Sequence, residues 1–261
     1  ATSLAELQDA ELVLQKALYP EVEYMFKHAL TQEVVYDSIL TRRKKKLHEE
    51  IGNAIEELYK ESINEHCEII SENYISSENY EKGAKYCRLA GKKAEKSASF
   101  TNAIEYTRKR LLCLEKLPPK DDVLKRIIDA RSSLGLYMFQ MYYFIEAKEA
   151  IEPIIDSAVN SGYASKLPQI YTILGTYKYW VEEDLPTALK YLEDAFKISE
   201  KLNNVVSLFF SSGWLGIAFS NNCEFEKGLY YLEKSIEINV AADNLWGIST
   251  MKRCESTFSY Y

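Results

Sequence analysis

The chain predicts an all-α fold made of stacked helical hairpins, a solenoid, and three observations carry that prediction. Gly91, Gly135, Gly175 and Gly216 stand 44, 40 and 41 residues apart. Each is followed by a small residue twelve positions on, or thirteen in one case: Ala103, Ala147, Ala188 and Gly228. Apolar residues recur at helical steps through most of the chain, while 10 glycines and 6 prolines are too few for a turn-rich all-β protein. A fixed period of this length marks repeats that cannot bury their apolar faces alone, so neighbours must stack. Function is therefore sought on a surface made by stacking.

The elements follow in order. Residues 1–60 stand outside the repeat. Leu4, Leu7, Val13 and Leu14 suit a short helical face, and Tyr19–Phe26 alternates apolar with acidic residues, a strand-like pattern. Helical spacing returns with Val34, Val35, Ile39 and Leu40, then with Leu47, Ile51, Ile55 and Leu58; the basic run Arg42–Lys46 lies between the two sets. From residue 61 the chain reads as paired helices. The first pair is expected at 63–76 and 79–97, with Ser76–Asn79 as the turn. A helix at 101–117 follows, capped by Thr101 or Asn102 and closed by Pro118-Pro119. Further pairs are expected at 121–140 with 143–161, 166–181 with 184–202, and 204–221 with 224–240. Asn244, Ser256 and Tyr260 repeat Asn204, Gly216 and Ser220, so the last helix reads as half of a further pair. The repeat region, 61–261, is thus expected to break off in mid-repeat.

The glycines have a packing reason. A glycine inside a helix costs about 1 kcal/mol relative to alanine, so its recurrence implies two backbones in close approach. Leu134, Leu174 and Leu215 precede their glycines, Met138 and Phe219 follow three residues on, and Ile151, Tyr191 or Leu192, and Leu232 occupy the matching turn of the second helix.

A net charge of −7 gives no reason to expect nucleic acid as a partner. The charge is uneven: residues 81–126 hold thirteen Lys/Arg and six Asp/Glu, whereas 127–261 hold eleven and seventeen. The 20 tyrosines suit half-buried helical sites where the ring packs and the hydroxyl stays wet. Five cysteines without a CxxC pair read as buried free thiols of a reducing, cytoplasmic compartment, and the opening ATSLAELQDAELVLQ lacks a signal-peptide pattern. Val205–Ser220, the most apolar stretch, is 16 residues long with four serines, which suits a buried helix better than a membrane span.

The segments LGTYKY…TALKYLEDAF and WLGIAF…KGLYYLEKSI resemble the tetratricopeptide repeat, whose pattern is Trp-x2-Leu-Gly-x2-Tyr followed by Ala-x3-Phe-x2-Ala. The resemblance implies a right-handed superhelix. The departures are a period of ~40 rather than 34 residues, no terminal proline, and Trp214 two residues rather than four before its glycine. Phe26–Leu40 (FKHALTQEVVYDSIL), Arg42–Tyr59 and Glu81–Pro118 are similar to the region after the ATPase module in bacterial signal-transduction NTPases, notably multidomain class III adenylate/guanylate cyclases. That likeness implies that residues 1–60 are a winged-helix remnant with a linking helix, and that the repeats serve a larger signalling protein.

No GxxxxGK[ST] occurs, since Tyr86 stands where the motif ahead of Gly91-Lys92 needs glycine, so no catalytic residue and no cofactor is assigned. His28, His48 and His66 lack ligand spacing, which leaves no metal site. If the first helix of each pair lines a concave groove, its candidates are Leu136, Phe139, Gln140, Thr176, Tyr179, Trp180, Ile217 and Asn221. Phe139, Tyr179 and Trp180 would be the aromatic anchors. Lys85, Arg88, Lys92 and Lys96 step by three and four, so they form a basic stripe on one helix face, suited to an acidic peptide or a phosphate, or simply solvated. The expected role is non-catalytic: a protein–protein interaction or sensor arm binding a peptide, protein or small effector, with no membrane partner. The alternative is the effector domain of a DNA-binding regulator whose N-terminal segment contacts DNA.

Overall fold

The computed structural model describes residues 2–17, 22–160 and 163–258, and it is almost wholly helical. The N-terminal segment holds the exception. Helix α1 (Thr2–Asp9) leads into β1 (Val13–Ala17), which pairs antiparallel with β2 (Glu23–Phe26), Val13 opposite Phe26 and Leu14 opposite Met25. Val13 and Leu14 therefore belong to a strand and not to the first helical face: Glu11, at φ 53°, ends the helix two residues before them. The expected strand at 19–26 holds over Glu23–Phe26, while Tyr19–Glu21 lie outside the described residues.

The helices that follow are α2 (Ala29–Ser38), α3 (Thr41–Leu58), α4 (Cys67–Ser76), α5 (Tyr80–Lys96), α6 (Phe100–Glu115) and α7 (Asp121–Gln140). Then come α8 (Phe144–Ile151), α9 (Ile155–Asn160), α10 (Leu167–Trp180), α11 (Leu185–Leu202), α12 (Val205–Asn221), α13 (Phe225–Ala241) and α14 (Leu245–Phe258). Two expectations need correction. The single helix at 143–161 is split by a 3-10 turn over Glu152–Ile154, because Pro153 has no N–H to donate and crowds the preceding turn. The helix at 101–117 starts after Ser99, not after Thr101 or Asn102, and Ser99 makes no side-chain cap bond.

From α3 onward, helices consecutive in the chain pack on one another, save that α8 and α9 are joined through the 3-10 turn between them, and α10 also contacts α7, α8 and α12. The glycines sit where paired helices touch. A Cβ on Gly175 would stand 2.7 Å from Leu192 Cγ and 3.1 Å from the Ala188 carbonyl oxygen. On Gly216 it would stand 2.6 Å from Leu232 Cγ and 3.0 Å from the Gly228 oxygen. Gly135 meets Ile151 and Ala147 in the same way. Gly91 faces Ala103 and Thr107, so α5 takes α6 as its glycine partner, where the first pair was expected to be 63–76 with 79–97. Helix α4 packs on α3, with Tyr74 Cε1 3.1 Å from the Cβ position of Gly52; the boundary expected near residue 60 falls between these two packed helices.

The core is a series of clusters passed along the chain. Ile70, Tyr74, Tyr86 and Ala90 form the first. Leu111, Leu114, Ile128, Leu134, Met138, Ile151, Ile170 and Ile173 form the largest. Leu192, Phe196, Leu215 and Phe219 follow, then Phe209, Leu232 and Met251. Among the described residues, no helix is long and apolar enough to cross a membrane. In α12 the four serines of the apolar stretch are all buried; Ser211 and Ser212 donate to the carbonyls of Ser207 and Leu208 one turn back, which removes the cost of burying their hydroxyls.

Candidate functional site

Helices α7, α10, α12 and α14 present their adjoining faces to one groove of about 370 Å³. On α12, Phe210, Trp214, Ile217 and Asn221 lie at steps of four, three and four, with Gly213 beside Trp214, and so share a single stripe along it. Helix α7 contributes Phe139 and Gln140 from its last turn, α10 contributes Trp180, and α14 contributes Met251, Arg253 and Cys254. The aromatic rings interlock. Trp214 meets Phe139 edge-to-face at 5.6 Å between centroids, and Phe139 meets Phe210 at the same distance. Trp180 lies edge-on to Trp214 at 6.4 Å and stacks on Phe144 at 6.4 Å. These contacts hold the walls rigid. Trp180 is 52% exposed, whereas Phe139 is 3% exposed, so Phe139 forms the floor and Trp180 offers free aromatic surface.

The candidate residues divide between several places. Phe139, Gln140, Trp180, Ile217 and Asn221 line this groove. Gln140, Trp180 and Asn221 stand five residues after Gly135, Gly175 and Gly216, so one repeat register delivers all three. Tyr179 buttresses the wall, lying edge-on to Trp180 at 5.2 Å and accepting a hydrogen bond from Asn221 Nδ2. Thr176 does not reach the groove: it is fully buried beside Gly175, and its hydroxyl has no partner. Leu136 faces a second, polar cavity one turn back along α7. Phe210, Trp214 and Met251 were missed by the register counted forward from each glycine. For Phe210 and Trp214 the signal is the α12 stripe itself, which begins before Gly216; Met251 comes from α14 and has no such signal.

The basic stripe also divides. Lys85 pairs with Glu56 at 3.6 Å and covers the Tyr86 ring at 4.7 Å. Arg88 and Lys92 line the second cavity, and Lys96 is exposed at the end of α5. The run Arg42–Lys46 is largely matched by acid: Lys44 meets Asp37 at 3.2 Å, Lys45 meets Glu78 at 2.6 Å, and Lys46 meets Glu50 at 3.6 Å.

Glu56 is the strongest electrostatic node. Burial works against its charge, but bonds donated by Lys82, Tyr74 and Tyr86 outweigh burial and hold its pKa at about 2. It joins α3 to α4 and α5. The histidines are structural. Both His48 ring nitrogens are engaged at 2.9 Å, with Tyr36 and Asn73, and His66 stacks on Tyr59 at 3.8 Å. His28 heads α2 without a side-chain cap bond. Among the described residues, no group of His, Cys, Asp and Glu could hold a metal ion. Of the five thiols expected to be buried, Cys67, Cys87 and Cys113 are, and burial pushes the Cys67 thiol up to about 11; Cys254 is half-buried, and Cys223 is exposed because it sits in the turn after α12.

No protein-family model matches the chain, and no curated protein matches it. Among solved structures it is similar to BtubC (BKLC) from P. vanneervenii, at 12% identity and a TM-score of 0.45, over 85% of this chain and 92% of that one. A likeness at that level assigns neither a family nor an activity.

Proposed function

We propose that this chain is the non-catalytic interaction and regulatory arm of a larger signalling ATPase or nucleotidyl cyclase, working in the cytoplasm. In this reading the helix pairs form a tetratricopeptide-like right-handed solenoid that follows a winged-helix remnant. The groove between α7, α10, α12 and α14 receives a peptide or protein segment with an apolar anchor side chain. The observation that carries this is the groove's build: rigid aromatic walls, an exposed Trp180, and a polar margin of Gln140, Asn221 and Arg253. Rigid walls keep the entropic cost of binding low, and a polar margin selects among partners. Buried free thiols support the cytoplasmic setting. To switch an attached enzyme, the partner must bind its two states unequally, since a ligand shifts an equilibrium only by its differential affinity.

The test is a selection of short random peptides on the chain, followed by calorimetric titration of the winners. Peptides with an aromatic or large aliphatic anchor are expected, competing with one another for one site. Trp180→Ala is expected to weaken them by roughly tenfold or more, as loss of a central aromatic anchor does. Winners that bind Trp180→Ala and Met251→Lys as tightly as the parent chain would remove the groove from the proposal. Hydrolysis of ATP or formation of cyclic AMP by the purified chain would remove the non-catalytic role.

A further inference from the structure

We propose that the second cavity, between α5, α6, α7 and the start of α10, is a binding site for a small organic anion carrying a phosphoryl or carboxylate group. The sequence explains why a cation sits there. On α6, Ala103, Thr107, Arg110, Leu111 and Leu114 follow one another at steps of four, three, one and three, so Arg110 lies on the buried stripe of the helix. It is 7% exposed. A buried guanidinium is ordinarily matched by a carboxylate. Here no carboxylate of the described residues pairs with it, and its hydrogen bond is a long one, 3.4 Å from Nη2 to the Arg126 carbonyl. Of five N–H donors, most are left for something else.

What surrounds Arg110 points to an oxyanion. The cavity, about 290 Å³, is also lined by Arg88, Lys92 and Lys166. Its two carboxylates are already engaged: Asp129 accepts from Lys166 at 3.1 Å and from Tyr163 at 3.1 Å, and Glu95 accepts from Tyr137 at 2.9 Å. The lining thus sets four cations, Arg88, Lys92, Arg110 and Lys166, against two carboxylates, Asp129 and Glu95, and keeps an excess of positive charge, with Arg110 in no ion pair among the described residues. Burial, and then repulsion from Arg88, hold the Arg110 pKa down at about 10, so at neutral pH it remains a strained cation. A fork of N–H groups in a site partly shielded from water binds a multidentate oxyanion well. Ser133, Gln169 and Asn204 supply neutral polar groups for the rest of such a ligand. The volume suits a small metabolite rather than a folded partner. This site is separate from the aromatic groove, and its test does not touch Trp180.

The experiment is calorimetric titration of the full chain with inorganic phosphate and with citrate, at ionic strength held constant with sodium chloride. Saturable binding is expected for at least one of them, and which one identifies the favoured group. Arg110→Gln and Lys92→Glu should each weaken that binding by roughly tenfold or more, as loss of a charge-assisted contact does. Lys96→Gln, on the same helix outside the cavity, should leave it unchanged. Because Arg110 is buried, its variants are also melted without ligand. Arg110→Met should keep or raise Tm, since it removes an unbalanced buried charge. The proposal is overturned if neither anion saturates, if Lys92→Glu and Arg110→Gln bind as the parent does, or if only an acidic peptide binds in an Arg110-dependent way.

Discussion

At the scale of single residues, the four repeat glycines are not equivalent. Gly135, Gly175 and Gly216 stand where an added methyl would come within 2.6 to 2.7 Å of a branched side chain on the partner helix. A Cβ on Gly91 meets nothing nearer than 3.5 Å, because what faces it is the small Thr107 hydroxyl and the Ala103 carbonyl oxygen rather than a branched apolar side chain. The two classes should respond with opposite sign to the same change. Gly216→Ala is expected to lose roughly 1–3 kcal/mol by overpacking, despite better helix propensity. Gly91→Ala should be neutral or gain up to about 1 kcal/mol. Urea denaturation of both variants checks this, and equal losses would contradict it. The periodic spacing was legible in the sequence; the difference was not, since the distance between two helices is set by residues on both of them. Arg110 shows the converse. Its place on an apolar helical stripe was readable, but that four cations would gather there against two carboxylates became visible only once α7 and Lys166 were in position.

At the scale of elements, the helices are joined by one recurring device. Glu183, Asn203, Cys223 and Asp243 all have φ between 51° and 62°, and they lie twenty residues apart. After three of them the same closing bond recurs: Asn204 N–H to the Ser199 carbonyl, Glu224 to Phe219, and Asn244 to Asn239. This is the left-handed ending in which the next N–H reaches back five residues, usually built with glycine. No glycine stands at any of these positions, so the usual sequence signal for a helix end is missing here. What the sequence did offer was the next residue. Asp184, Asn204 and Asn244 each accept a bond from the N–H three residues on, as N-caps do. Left-handed geometry costs a non-glycine residue about 1–2 kcal/mol, of which glycine's greater chain entropy returns only part. Cys223→Gly should therefore gain about 0.5–1 kcal/mol, seen as a raised Tm, whereas Cys223→Ala should not. A fall in Tm for the glycine variant would show that the turn is not strained.

At the scale of the molecule, stability passes from pair to pair, and Glu56 closes the N-terminal end of the series. Its carboxyl titrates at about 2 in the folded chain against an ordinary 4.5. A depressed folded pKa adds stability that is complete above 4.5 and is lost as pH falls towards 2. The contribution is on the order of 2 kcal/mol for a carboxylate this well bonded. Glu56→Gln should lower the urea midpoint at pH 7 and shallow the fall between pH 4.5 and 2. Glu68, also lowered, and held by Lys93 against its own burial, should keep part of that slope. An unchanged acid profile in the variant would mean that Glu56 is not the node.

The sequence by itself determined the helices and most of their pairing, because apolar period and small-residue contacts are local or repeat at one fixed interval. It also indicated which turn of each first helix faces inward, and so placed Gln140, Trp180 and Asn221 on the groove. It misplaced Thr176, which shares the register but is covered by its neighbours. Only the tertiary structure decided that Trp214, Phe210 and Met251 complete the groove, and that Arg110 of α6 meets Arg88 and Lys92 of α5. Grooves and charge clusters are sums over elements far apart in the chain. Their geometry depends on how each pair is rotated against the next, and no spacing within one pair encodes that rotation.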